Sequence, residues 1–167
     1  MELDRAARRL ARDDKVEDFD CGEAELNDYL HRFAWQNQRA HSATTYVVVR
    51  EKAVVGYYSL AVGSVNSEEA TPRSRQGMAR HPVPVMILAR LAVDRSCQGQ
   101  GLGRALLKDA LLRTRQAADI AGIRCLVVHA KGDSARGWYE QFDFEPSPTD
   151  PYHLFLLMKD IDAALRG

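Results

Sequence analysis

The stretch Gln98-Gly99-Gln100-Gly101-Leu102-Gly103 constrains the fold of this chain more than any other feature. It joins an apolar run, Val83–Val93 (VPVMILARLAV), to a segment whose apolar residues Leu102, Leu106, Ala110, Ala117 and Ala121 recur at helical spacing. The run predicts a central strand. The segment predicts a helix to about Ala121, with Gly122 just past its end. Alternate glycines let the backbone turn through conformations closed to other residues and come close to a ligand. The first N–H groups of a helix lack intrahelical acceptors and favour anions. A phosphate is therefore the expected guest, and a tight turn without a ligand is the plain alternative. A P-loop requires Gly-Lys-Ser/Thr after its second glycine, which is missing. A dinucleotide fingerprint requires G-x-G-x-x-G near the first strand and an acidic residue ending the next one. Here the spacing is G-x-G-x-G, the turn follows the third or fourth strand, and the next strand ends His129-Ala130.

The flanking segments complete the outline. Thr44–Arg50 (TTYVVVR) and Val54–Val65 (VVGYYSLAVGSV) are β-branched and aromatic and are separated by Glu51-Lys52, which predicts a hairpin. A helix is expected after Asp20 as N-cap, with Glu23 and Glu25 in its first turn and Leu26, Tyr29, Leu30 and Phe33 on its apolar face. Residues 66–82 read as a long polar loop. Arg124–Ala130 and Tyr152–Met158 read as strands, and between them Asp133 caps a short helix to about Gln141. Residues 1–14, rich in Arg and Asp, read as a short helix or a frayed arm. With 167 residues, 46% of them hydrophobic, the chain can bury one real core. The order of elements describes an α/β or α+β layered domain.

The formal net charge of zero excludes a uniformly basic nucleic-acid coat but hides a segregation. Residues 1–70 hold 9 basic and 13 acidic side chains, residues 71–136 hold 12 and 4, and residues 137–167 hold 2 and 6. The middle of the chain is strongly basic. Cys21, Cys97 and Cys125 are far apart, so neither a disulfide framework nor a zinc site is implied. The charged N-terminal residues lack the apolar stretch of a secretory signal, and no run approaches the ~20 residues of a membrane span. A cytoplasmic protein is expected.

Gln98-x-x-Gly101-x-Gly103, after the strand that ends Leu91-Ala92-Val93, resembles the Q/R-x-x-G-x-G/A acetyl-CoA motif of the GCN5-related N-acetyltransferases (GNAT). More narrowly, Asp20-Cys-Gly, Tyr57-Tyr-Ser-Leu-Ala, Gly63-Ser-Val, the stretch Ile87–Val93 and Gly101-Leu-Gly are similar to the acetyltransferase toxins of bacterial toxin–antitoxin pairs, which acetylate the amino group of aminoacyl-tRNA. The resemblance implies a single GNAT domain over residues 1–167. Its sheet would be mixed and mostly antiparallel, flanked by helices, with strands splayed at the acetyl-CoA site. It places the pantetheine arm along the main chain of Leu91, Ala92 and Val93, and the pyrophosphate at Gln98, Gly99, Gln100, Gly101, Leu102, Gly103 and Arg104. It also implies acetyl-CoA as donor, no metal, a homodimer and a ribbon–helix–helix antitoxin.

Acetyl transfer from a thioester to an amine needs a clamped cofactor, a polarised carbonyl, a neutral amine and a proton for the departing thiolate. Tyr139, in Ala135-x-x-x-Tyr139, resembles the family's helix-borne proton donor; unassisted, it reads as a helix anchor. The family has Gly-Phe four and five residues after that tyrosine, where this chain has Asp143-Phe144. No general base stands out. His129 either contacts substrate or packs. An α-amine titrates near ~7.7–8.0, whereas a lysine amine near ~10.4 would want a dedicated base, so the α-amine is favoured. Between Thr71 and Val93 stand Arg73, Arg75, Arg80 and Arg90 with no acid, and Arg104, Lys108 and Arg115 share one helix face. These, with His129, are candidate tRNA contacts, although charged helix faces are often only solvated. Arg90 interrupts an apolar strand and has to reach a carboxylate, solvent or bound substrate. The rival readings are acetylation of another amine (a protein N-terminus, a lysine or a small molecule) and a non-catalytic coenzyme A module.

Overall fold

Runs rich in strong β-formers, buried continuously over residues 54–60, 125–128 and 153–156, set the sheet, and the computed structural model describes it over residues 6–78 and 81–167. In chain order the elements are β1 (Arg8–Arg9), α1 (Ala24–Asp28), a π-helical turn (Tyr29–Phe33), α2 (Ala34–Arg39), β2 (Thr44–Arg50), β3 (Ala53–Val65), α3 (Pro72–Arg75) and β4 (Val83–Val93). A 3-10 turn (Arg95–Cys97) leads to α4 (Leu102–Ala118), β5 (Cys125–His129), α5 (Asp133–Glu140), β6 (Glu145–Pro146), β7 (His153–Leu157) and α6 (Met158–Arg166). The strands form one seven-stranded sheet in the order β1-β2-β3-β4-β5-β7-β6. β4 and β5 are parallel, and β1–β2, β2–β3, β5–β7 and β6–β7 are antiparallel. This is the expected mixed, mostly antiparallel sheet with helices. No helix among the described residues is long and apolar enough to cross a membrane.

Contacts divide the chain into two units, Met1–Ala61 with Leu88–Ala110, and Val62–Ile87 with Leu111–Gly167. In the first, the core gathers on Tyr57, which is fully buried. Phe19 meets its ring edge-on at 5.5 Å, Tyr29 stacks on it at 6.4 Å, and its hydroxyl donates to the Leu26 carbonyl at 2.7 Å. Gly56 lets α4 lie close on β3: a Cβ there would stand 3.1 Å from Leu102 Cδ2 and 3.2 Å from Leu106 Cδ1. The β2–β3 hairpin turns on Glu51 and Lys52, both left-handed (φ 52° and 70°), as a two-residue turn requires.

In the second unit, Val65, Val83, Val85, Cys125, Val127 and Phe155 form the core. Residues 66–78, polar in sequence, are pinned to it. Arg124 donates through Nε to the Ser74 carbonyl at 2.8 Å and through Nη2 to the Gln76 carbonyl at 2.7 Å. Ser147 donates to the Glu69 carbonyl at 2.5 Å.

Several local expectations differ. Residues 8 and 9 form neither helix nor arm but pair with β2, Arg8 opposite Val47 and Arg9 opposite Tyr46. Asp20 does not cap α1: Glu23 stands at the N-cap without a side-chain bond, and Asp20 Oδ1 accepts from the Gly22 N–H and from Asn27 Nδ2, both at 2.9 Å. Asp133 is the first residue of α5, not its cap, and its carboxylate accepts the Tyr152 hydroxyl at 2.7 Å. α4 ends at Ala118, short of Ala121, and α6 follows β7 directly at Met158.

The helical face of residues 24–39 also changes phase. A regular helix carrying Leu26 and Leu30 inward would bury Phe33 next. The π-helical turn adds one residue, so burial passes from Leu30 to Ala34 and Gln38 and leaves Phe33 45% exposed. Gln38, thus turned inward, donates to the Leu10 carbonyl at 2.9 Å and accepts the Thr45 N–H at 3.0 Å, which ties β1 to β2. Phe33→Ala should therefore shift stability by no more than about 0.5 kcal/mol, whereas Ala34→Leu should lose about 1–3 kcal/mol by overpacking. Urea unfolding of both variants checks this, and a regular helix would reverse the order.

Candidate active site

The glycine turn is built from β4 onward. Past Val93, Asp94 caps the 3-10 turn, accepting from the Ser96 N–H at 3.0 Å and the Ser96 hydroxyl at 2.6 Å. Its other oxygen accepts the Asp20 N–H at 2.8 Å, and the Arg95 N–H donates to the Asp20 carbonyl at 2.9 Å. Gln98 Nε2 then donates to the Val93 carbonyl at 2.9 Å and the Cys21 carbonyl at 3.0 Å. The first residue of the motif thus fastens the turn to the strand it leaves and to the loop before α1.

Gly99 and Gly101 take φ values of +77° and +80°, which only glycine adopts without strain. A Cβ at Gly99 would have no neighbour within 4 Å, so the requirement there is conformational. α4 begins at Leu102, which is buried, and Gly103 lies within its first turn. Gln100 and Arg104 are exposed beside it. A phosphate fits this N-terminus of a 17-residue helix. On the strand, β4 pairs with β5 only from Val85 to Ile87, so Leu91, Ala92 and Val93 continue beyond that pairing.

Tyr139 stands on α5, 7% exposed, edge-on to Trp138 at 4.9 Å and to Phe144 at 5.4 Å. Burial pushes its phenol well above the ordinary range. Asp143, where the family has glycine, takes the left-handed conformation (φ 71°) and donates its N–H to the Glu140 carbonyl at 3.0 Å, so the turn after α5 is kept. His129 is exposed at the end of β5 and packs on His153, rings 4.0 Å apart and 16° from parallel. Burial, with the neighbouring His129 second, lowers the pKa of His153.

The basic candidates divide. Arg73 is held by acids distant in sequence: Nη1 donates to Glu145 at 2.6 Å and to Asp160 at 2.8 Å, and Nη2 to Asp160 at 3.1 Å. The acid-free stretch is thus not free of acids in the fold, and Arg73 is a staple. Arg75 is exposed, with a long bond to the Ser67 carbonyl at 3.4 Å. Arg80 lies outside the described residues. Lys108 is exposed and Arg115 half-buried. Arg90 is half-buried and takes a partner the sequence did not suggest: its guanidinium lies 3.7 Å from the centroid of the Tyr29 ring. Spacing did not reveal this pairing or the Asp20–Asp94 contact, because each joins residues more than sixty positions apart.

The acetyltransferase (GNAT) domain family matches residues 41–146. A tRNA-acetylating toxin of Mycobacterium tuberculosis (strain ATCC 25618 / H37Rv) is 50% identical over 160 residues, covering 96% of each chain. The chain belongs to the GNAT acetyltransferases. Among solved structures, AtaT complexed with acetyl-methionyl-tRNAfMet is 28% identical with a TM-score of 0.87, over 95% of this chain and 98% of that one. A tyrosine-to-phenylalanine mutant of AtaT, bound to the C-terminus of the antitoxin AtaR and acetyl-CoA, is 29% identical with a TM-score of 0.82, over 97% and 98%.

Two outcomes follow from the geometry. Gly101→Ala should weaken coenzyme A binding at least about tenfold in calorimetric titration, since a left-handed alanine costs about 1–2 kcal/mol and distorts the turn. For His153, a lowered folded pKa means that the unfolded chain binds its proton first as pH falls. Its contribution is complete above the ordinary value of about 6.5 and is lost below it, so urea midpoints should drop on acidification and His153→Gln should flatten that drop.

Proposed function

We propose that this chain is a toxin that moves the acetyl group of acetyl-CoA to the α-amine of aminoacyl-tRNA and so blocks translation. The observation that carries the reading is 50% identity, across 96% of both chains, to a tRNA-acetylating toxin. The glycine turn and the cationic middle of the chain agree with it.

Acetyl-CoA supplies the activated thioester. The peptide groups of Leu91, Ala92 and Val93 bind the pantetheine arm as an added strand, and the turn from Gln98 to Arg104 holds the phosphates. Tyr139 donates the proton that the departing sulfur takes up. Its burial keeps it protonated at neutral pH, and dry surroundings raise the proton affinity of a thiolate as well. A phenol can therefore donate to a thiolate, which even in water, near ~8.5, takes up a proton at pH 7 and takes one up more readily when desolvated. No carboxylate base is required: an α-amine near ~7.7–8.0, lowered further by its ester, is largely neutral in the cell. A tyrosine is also the altered residue in the acetyl-CoA complex of AtaT.

Arg75, Arg80, Lys108, Arg115 and Arg104 are assigned to phosphates of the tRNA or of coenzyme A, Arg90 and His129 to the acceptor end. Arg73 acts through the loop it fixes. The protein works as a homodimer in the cytoplasm and is neutralised by a ribbon–helix–helix antitoxin, both carried by the resemblance.

Purified protein should stop cell-free translation only when acetyl-CoA is present, with recovery on adding fresh aminoacyl-tRNA. Tyr139→Phe should lose about 10²–10⁴-fold in acetyl transfer while binding acetyl-CoA as before. Unimpaired translation with acetyl-CoA present would remove the toxin reading, and full activity in Tyr139→Phe would remove the proton donor.

A further inference from the structure

The π-helical turn that carries Ala34 and Gln38 inward leaves the Phe33 ring in solvent, 45% exposed. Within its unit it is the only large hydrophobic residue so exposed among those described. A protein-docking surface usually gathers a contiguous apolar patch; here the ring stands alone with a guanidinium beside it. His31, Arg32 and Arg39 are all exposed on the same helical segment. The Arg32 guanidinium stands 5.7 Å from the Phe33 ring centroid, and its ion pair with Asp28 is long, at 3.5 Å. At the buried end of the same turn, Arg90 covers Tyr29 at 3.7 Å. π-Helical turns are costly departures that recur at functional sites.

An exposed ring fixed on a helix with a guanidinium beside it is the physical recipe for holding an unpaired base: the ring stacks on it and the cation takes an adjoining phosphate. We propose that Phe33 is a stacking platform for an unpaired nucleotide of the tRNA acceptor end, with Arg32 serving its backbone. This rests on the aminoacyl-tRNA reading above. A flexible 3′ end would otherwise wander, and stacking one base would fix the distance from the duplex to the aminoacyl ester.

Steady-state acetylation of aminoacyl-tRNA and of an amino-acid methyl ester, which has no nucleotide, separates the possibilities. Phe33→Ala should raise KM for aminoacyl-tRNA roughly tenfold or more, leave KM for acetyl-CoA and turnover of the methyl ester unchanged, and keep the thermal midpoint. Phe33→Tyr should restore tRNA affinity, and Phe33→Trp should add a fluorescence signal quenched by uncharged tRNA. An unchanged KM for aminoacyl-tRNA in Phe33→Ala, with the wild type active, overturns the platform alone. So does an equal loss with the methyl ester, which would mean a general disturbance, or a loss confined to self-association, which would mean a protein contact. A wild type that acetylates no aminoacyl-tRNA overturns the platform and the functional reading together.

Discussion

The first unit is organised by one carboxylate. Asp94, at the end of β4, accepts the Asp20 N–H through one oxygen and caps the 3-10 turn through the other. Its Ser96 and Asp20 bonds outweigh partial burial and hold its pKa low, so it stays an acceptor. Arg95 closes the same contact from the other side, donating its N–H to the Asp20 carbonyl, while its guanidinium lies over Gly22, where a Cβ would stand 3.4 Å from Nε. Gln98 adds two bonds, to Val93 and Cys21. The strand that presents peptide groups, the turn that presents glycines and the loop that leads into α1 therefore share one hydrogen-bonded knot. Pre-organisation of this kind lowers the ordering entropy that binding would otherwise demand.

The segregation of charge along the sequence has a partly internal meaning. The acidic C-terminal segment supplies Glu145 and Asp160 to Arg73, so some of the basic excess of residues 71–136 is neutralised within its own unit. Arg124 likewise serves two carbonyls rather than a ligand. What remains outward among the described residues, Arg75, Arg95, Arg104, Lys108 and Lys131, is a smaller field than the segment sum suggests. Local cation placement, more than total charge, steers a polyanion.

Features encoded by neighbours along the chain were legible. The bounds of β4, the hairpin at Glu51-Lys52 and the glycine turn follow from β-branching, turn chemistry and helix-start rules acting over a few residues. The missed features depend on distant partners. Asp20 and Asp133 are good N-cap residues whose carboxylates are taken instead by Asn27 and Gly22, and by Tyr152. β1 is two residues long and exists only through β2. The phase change at Phe33 follows from the demand of Leu10 and Thr45 for the Gln38 amide, which no helical periodicity encodes. Only the family resemblance singles out Tyr139 as a candidate proton donor; the residues alone read as a helix anchor.

Proton bookkeeping sets what chemistry the candidate residues can do. A buried phenol with a raised pKa is a poor acid toward water and a suitable one toward a thiolate that has itself lost its hydration, because desolvation penalises both anions. The same burial would make Tyr139 a useless base, since removing its proton would leave an unsolvated phenolate. One buried tyrosine without a partner base therefore suits a reaction in which the amine arrives already neutral. An α-amino ester meets that condition near pH 7 and a lysine side chain does not. The proposed chemistry thus favours an α-amine acceptor before any shape of the substrate surface is considered, and a stacking ring such as Phe33 would act only afterwards, by holding that amine in place.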